Sequence, residues 1–134
     1  MNAEILSVGT ELLIGKVVDT NATFLSRMLA ELGINLYFRS TVGDNVERLS
    51  QTVKTALKRS DVVIITGGLG PTEDDLTREV VAELMGIELV FDPEIARGLE
   101  AKFSKFGYRK GEVPKSNLKQ AMVPEKGFGT AVRN

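Results

Sequence analysis

The 134-residue sequence predicts a three-layer α/β/α sandwich built on a mainly parallel sheet. Three observations carry that expectation. Strand-like apolar runs alternate with amphipathic helical stretches along most of the chain. The run Asp61-Val62-Val63-Ile64-Ile65-Thr66 is continuous and β-branched, as suits a strand covered on both faces. Finally, 43% apolar and 26% charged residues over this length describe one ordinary globular domain, expected to span residues 1–134.

Taken in order, residues 4–8 read as a buried strand leading into the turn-prone Gly9-Thr10-Glu11. From Asn21 a helix places Phe24, Leu25, Met28, Leu29 and Leu32 on one face and ends at Gly33. Residues 34–42 return as a strand that alternates around Leu36 and Phe38. Asp44 is positioned to cap a second helix, with Glu47 completing a carboxylate version of the capping box. The inner face of that helix is Val46, Leu49, Val53, Ala56 and Leu57. After the β-branched strand, a third helix is expected to begin near Glu73, to bury Leu76, Val80, Val81 and Leu84, and to stop at Gly86. Residues 87–91 form a short edge strand, and Asp92-Pro93 opens a fourth helix presenting Ile95, Leu99, Phe103 and Phe106. Pro114 and Pro124 bracket a short helical stretch at residues 115–121.

Composition narrows the chemistry. The chain has no cysteine and no histidine, which removes disulfides, thiolate ligands, imidazole ligands and the commonest general base. Any reaction must run on carboxylates, hydroxyls, amines, backbone groups or a bound metal. With 17 basic against 18 acidic residues, the chain lacks the basic surplus of a nucleic-acid binder. The strongly apolar run at residues 62–65 is too short to span a bilayer, and residues 1–8 do not form a signal peptide. No membrane partner is expected, and the cytoplasm is the expected compartment.

In open α/β sheets ligands bind beyond the carboxyl ends of the strands. That rule selects Gly9, Thr10 and Glu11 after the first strand and Asp44 after the second. After the third it selects Thr66, Gly67, Gly68, Gly70, Pro71 and Thr72, followed by Glu73, Asp74 and Asp75. The glycines admit close approach of a phosphate to backbone N–H groups. The loop is neither a Walker P-loop nor a dinucleotide fingerprint, since no G-K-S/T follows and Glu73 stands at the third glycine position. Glu73 reads chiefly as a helix-dipole carboxylate. Asp74 and Asp75 admit that reading and a sharper one, in which they hold an oxygen-ligated cation such as Mg²⁺ or Mn²⁺ against phosphate. Glu11, Asp19 and Asp44 have capping or solvated readings of their own, and gain interest because they share the rim. Lys102, Lys105, Arg109 and Lys110 read as a solvated basic face, and Met28 and Met85 as packing.

These segments resemble a known family. Gly9-Thr10-Glu11-Leu12-Leu13-Ile14-Gly15, Asp19-Thr20-Asn21 and Val42-Gly43-Asp44-Asn45 are similar to the N-terminal domain of CinA-type competence/damage-inducible proteins. So are residues 66–77 and the pattern Pro114-x-x-Asn117-x-x-Gln120-Ala121-x-x-Pro124. The wider group, typified by MogA and MoaB, binds molybdopterin and carries T-G-G-T-G, three residues, then Arg-Asp. Here Leu69 replaces the second threonine and Asp74 the arginine, while Asp75 matches. The resemblance implies a homo-oligomer that hydrolyses ADP-ribose or a related nucleotide diphosphate with Mg²⁺, Mn²⁺ or Co²⁺. Asp75 and Asp74 would be its catalytic carboxylates and, with Glu11, its metal ligands. Ligand contacts would come from Gly9, Thr10, Glu11, Asp19, Asn21, Asp44, Thr66, Gly67, Gly68, Gly70, Pro71 and Thr72. The alternatives are non-catalytic binding of molybdopterin or a nucleotide phosphate, and an inactive remnant. The family adds a deamidase domain, for which this chain has no room, and a Gly-Thr-Ala-Pro-Gly turn that Gly129-Thr130-Ala131-Val132-Arg133 does not reproduce. The turn's spacing places it beyond Asn134, so the domain is expected to continue past that residue.

Overall fold

The protein's structure is a computed structural model and describes residues 1–109 and 113–125. Strand β1 (Asn2–Val8) lies in the middle of a parallel sheet, between β2 (Asn35–Val42) and β3 (Val62–Thr66). Side chains alternate across a strand, so β1 serves two cores. On one face Ala3 and Ile5 pack with Ala22 and Leu29 of α2 (Thr20–Glu31). On the other, Val8 packs with Leu49 and Val53 of α3 (Val46–Arg59) and with Val80 of α4 (Thr77–Met85). Helices on both faces of a parallel sheet make the expected three layers.

The α2 face differs from the expected one. Leu29 is buried and Leu25 half-buried, but Phe24 and Leu32 are 63% and 69% exposed and Met28 is also exposed. The small Ala22, directed at β1, sets the inward direction, and the bulkier stripe rotates outward. In α3 the same thing happens at its edges: Leu49, Val53 and Ala56 are buried, whereas Val46 and Leu57 are exposed.

The expected alternation about Leu36 and Phe38 is broken by a bulge. Ala3 pairs with Leu36 but Glu4 pairs with Phe38, so Tyr37 is skipped. Leu36 therefore faces α2, while Phe38 lies on the α3 side beneath the Arg59 guanidinium, 3.6 Å from its ring centre. Arg59 also bonds the fully buried Glu4 through both carboxylate oxygens, at 2.7 and 2.9 Å, and Ser60 Oγ adds a third bond at 3.2 Å.

Strand β3 is covered on both faces as expected, Ile64 packing on the α2 side and Ile65 on the side of α3 and α4, but the strand paired on both edges is β1. Among the described residues β3 has a neighbour on one side only, and Val62 is exposed. The predicted edge strand is β4 (Leu89–Phe91), which does not join the main sheet. It pairs antiparallel with β5 (Met122–Pro124), which follows a 3₁₀ segment at Lys115–Ala121. Helix α5 (Pro93–Lys105) opens as expected, with the Asp92 carboxylate accepting from the Glu94 and Ile95 amides. Ile95, Leu99 and Phe103 are half-buried, but Phe106 lies past the helix end and is exposed. Lys102, Lys105 and Arg109 are exposed; Lys110 and residues 129–134 fall outside the described residues.

The two cores give opposite expectations for residues of similar size. Leu49→Ala should cost about 3 kcal/mol, the usual range for a buried leucine. Phe24→Ser should stay within about 0.5 kcal/mol of the parent. Urea denaturation of both variants checks the inward face of α2; a large loss from Phe24→Ser contradicts it.

Candidate functional site

Parallel pairing brings the carboxyl ends of β2, β1 and β3 to one rim. At the end of β1 the chain turns at Gly9, whose amide bonds the Val42 carbonyl at 2.9 Å, and enters the short helix α1 (Thr10–Leu13). Thr10 and Asp44 form a reciprocal lock between the first two turns. Asp44 Oδ2 accepts from the Thr10 amide at 3.0 Å and its hydroxyl at 2.8 Å, while the Asp44 amide donates to Thr10 Oγ1 at 3.1 Å. Asp44 is therefore not the cap of α3. Asn45 takes that place, accepting from the Arg48 amide at 3.0 Å, because the neighbouring carboxylate is committed to Thr10. Asp19 does cap α2, through the Ala22 amide at 2.9 Å.

The turn after β3 comes closest to the sheet. Gly67 has a φ of 87°, and a Cβ there would collide with the Val8 carbonyl. Only glycine permits this approach of two strand ends. Thr77 Oγ1 then donates to the Gly67 carbonyl at 2.9 Å and the Thr77 amide to Gly68 O at 3.1 Å, which sets where α4 starts.

Helix α4 starts at Thr77 rather than near Glu73. Residues 70–75 instead form a turn around the Asp75 carboxylate. Its Oδ2 accepts from the Thr72 hydroxyl at 2.6 Å and the Thr72 amide at 2.9 Å, and the Gly70 amide also donates to it. A Cβ on Gly70 would sit 2.5 Å from that carboxylate. Glu73 and Asp74 are exposed in the turn, so Glu73 does not complement a helix first turn; Glu79 occupies that place.

These bonds, the Thr72 hydroxyl first and then the Gly70 and Thr72 amides, hold the Asp75 carboxyl below its ordinary value of 3.8 despite partial burial. The Lys119 ammonium lowers it further. Two cations brace the turn from behind. Lys119 Nζ donates to the carbonyls of Thr72 (3.0 Å) and Asp75 (2.6 Å) and pairs with Glu79 at 3.3 Å. Arg78 reaches Lys119 O, Met122 O and Leu69 O at 2.9, 3.4 and 3.3 Å. Sequence reasoning missed Arg78, Glu79 and Lys119, which lie within helical stretches and touch the loop only after folding.

Of the residues selected from sequence, Glu11, Asp19, Asn21, Thr66 and Gly67 meet at one open cleft of about 170 Å³, beside Thr20 and the aliphatic Val8, Leu12, Val17 and Val18. Glu11 folds its carboxylate back over Gly9. Thr10 and Asp44 brace the neighbouring turn. Gly70, Pro71, Thr72, Asp74 and Asp75 do not line this cleft. Among the described residues no three carboxylates gather where they could share a metal ion. The reason is visible in their partners: Asp19 and Asp75 bind amides or hydroxyls of their own turns, and Asp44 those of Thr10 in the neighbouring turn.

Comparison with known proteins matches residues 4–132 to the family described as "Probable molybdopterin binding domain". A competence-damage inducible protein of Caldicellulosiruptor bescii is 54% identical over 93% of this chain, and a CinA-like protein of Dictyoglomus thermophilum 53% identical over 93%. The chain spans about 30% of the length of each. The crystal structure of the protein CinA from Thermoplasma acidophilum superposes with a TM-score of 0.78 at 35% identity, over 92% of this chain and 70% of that one. The molybdopterin biosynthesis enzyme MoaB of Thermus thermophilus shares the fold, with a TM-score of 0.61 at 22% identity over 92% of this chain and 78% of its own.

The lowered Asp75 value carries a sign. A carboxylate held below its unfolded value stabilises the fold above about pH 4, and that contribution fades as pH falls through the lowered value. Asp75→Asn should therefore cost about 1 kcal/mol at pH 7 and progressively less below pH 3.8. Urea titrations at pH 7 and pH 3 check this; an equal loss at both contradicts the assignment.

Proposed function

The chain belongs to the molybdopterin-binding domain family, in its CinA-like branch, and on that premise we propose that it binds a phosphate-bearing nucleotide at the rim of its parallel sheet and hydrolyses the diphosphate of ADP-ribose or a close analogue. The observation that carries this reading is the meeting of Glu11, Asp19, Asn21, Thr66 and Gly67 in one cleft at the strand ends, beside a glycine turn. Gly67 and Gly68 suit an anion because, having no side chains, they admit close approach of a ligand to the main chain. The aliphatic wall of Val8, Leu12, Val17 and Val18 suits a ring or sugar, with Glu11 and Asn21 as hydrogen-bonding partners. The cleft holds one moiety of such a ligand, with the remainder lying along the open rim.

Hydrolysis adds water to one phosphorus and breaks the bridging P–O bond, giving AMP and ribose 5-phosphate. Asp75 serves this scheme by shaping the loop, whereas the exposed Asp74, on the rim beyond the cleft, is the carboxylate that orients the water. Among the described residues no three carboxylates gather into a preformed cation site, and Mg²⁺ needs only one or two carboxylates beside substrate phosphates. Mg²⁺, Mn²⁺ or Co²⁺ therefore belongs to the substrate in this reading, entering on the diphosphate oxygens. Homo-oligomer formation and a cytoplasmic setting complete the proposal.

A second reading has the same cleft hold a pterin phosphate without turnover. The family match favours it, and the carboxylates suit the ring N–H donors of a pterin.

Incubation with ADP-ribose and Mn²⁺ should release AMP, measured by chromatography. Chelation should abolish release while leaving the melting temperature of the ligand-free protein unchanged. Binding without product favours the pterin reading, and no binding of either ligand overturns both. Glu11→Gln separates the placements further. If a sugar or ring donor meets Glu11, affinity falls about tenfold, the cost of a lost charged hydrogen bond. If phosphate lies there, affinity rises instead.

A further inference from the structure

The strongest unassigned feature lies behind the loop. Two cations are spent on main-chain carbonyls far away in sequence. The Lys119 ammonium has three donors, and three partners receive them: Thr72 O, Asp75 O and the Glu79 carboxylate. Arg78 ties Leu69 O of the same loop to Lys119 O and Met122 O. Three carbonyls of residues 69–75 are thereby turned toward the 3₁₀ segment. In a trans peptide the carbonyl of one residue and the amide of the next point in opposite directions. Fixing the carbonyls of Leu69, Thr72 and Asp75 therefore fixes the direction of the amides that follow. One of these, Gly70 N–H, is already seen on Asp75.

Among the described residues, the loop's other ties to the fold are the two Thr77 bonds to Gly67 O and Gly68 O at its start. Thr72 is exposed, and the turn's remaining bonds are internal to it. The loop's shape thus depends on cations that do not line the cleft.

We infer that Lys119 and Arg78 are positioning residues for ligand binding: they hold residues 69–75 by their carbonyls and so set the stretch of rim beyond the cleft, along which the rest of the ligand lies, without touching the ligand. This rests on the nucleotide-binding reading above and deepens it, since it makes the segment Lys115–Ala121 the support behind the part of the rim that lies beyond the cleft.

The test uses the full chain, with ADP-ribose and AMP as probes. Lys119→Met should weaken both by at least tenfold at a temperature where circular dichroism shows the variant folded. In the absence of ligand, amide hydrogen exchange should accelerate at least tenfold across residues 67–75, with β1 and α3 within twofold of the parent. Lys119→Arg keeps the cation and its donors, and should recover most of both losses. Arg78→Met should reproduce the loop's faster exchange. Unchanged exchange across residues 67–75 in Lys119→Met overturns the inference. So does faster exchange with affinity within twofold of the parent, which makes the brace structural only. Failure of the parent chain to bind either probe overturns the nucleotide reading, and the positioning role for such a ligand falls with it. Faster exchange in Lys119→Met would then still show the brace acting on the loop.

Discussion

The burial of β1 between β2 and β3 is the constraint on which the rest of the structure depends. Ala3 through Val8 are almost wholly removed from solvent, so both faces of the strand must be covered and both edges paired. Helix α2 covers one face, and α3 with α4 cover the other. Because β2 and β3 run parallel to β1, all three chains leave the sheet at the same end. Their turns are consequently forced together whatever their individual sequences. That is how Glu11, Asp19 and Thr66, separated by up to 55 positions in the chain, come to share one cleft.

The two ends of the sheet treat charge differently. At the amino end Glu4 is buried and ionic, and its pairing is complete: two bonds from Arg59, one from Ser60, with Phe38 beneath the guanidinium. A buried carboxylate is tolerated only with such partners, and these anchor the end of α3 to the central strand. At the carboxyl end the carboxylates are partnered by amides and hydroxyls of the turns rather than by cations. The exception is Asp75, which lies near Lys119 but directs its oxygens at Thr72 and Gly70.

The layer architecture was legible because it follows from alternation of strand-like and helical runs. So were the caps at Asp19 and Asp92, where a short acidic side chain precedes a helical run. The glycine rim was legible because glycines placed directly after a strand end mark a turn where the backbone must approach something closely. What was not legible depends on partners distant in sequence. Asn45 caps α3 because Asp44 is drawn to Thr10, 34 positions away. Phe38 changes faces because Tyr37 bulges out of the pairing with β1. Helix α4 starts late because Asp75 and Thr77 bind back to the loop. The brace from Lys119 crosses 47 positions to Thr72, and no local pattern announces it.

Asp75 shows why an acidic rim and an anionic ligand are compatible. A carboxylate accepting from the Gly70 and Thr72 amides and the Thr72 hydroxyl occupies the kind of concave N–H cluster that binds phosphate oxygens. The loop therefore carries its own anion, and its donors are satisfied without any ligand. Buried or half-buried donors left without partners would destabilise the turn by about 1–3 kcal/mol each, so this internal pairing keeps the loop ordered and its shape prepared. Nearer the sheet, at Gly67, the chain must be glycine to pass the Val8 carbonyl. That closest approach of two strand ends fixes where the loop begins. The loop is thus held at its start by the buried strand and, across residues 69–75, by Arg78 and Lys119.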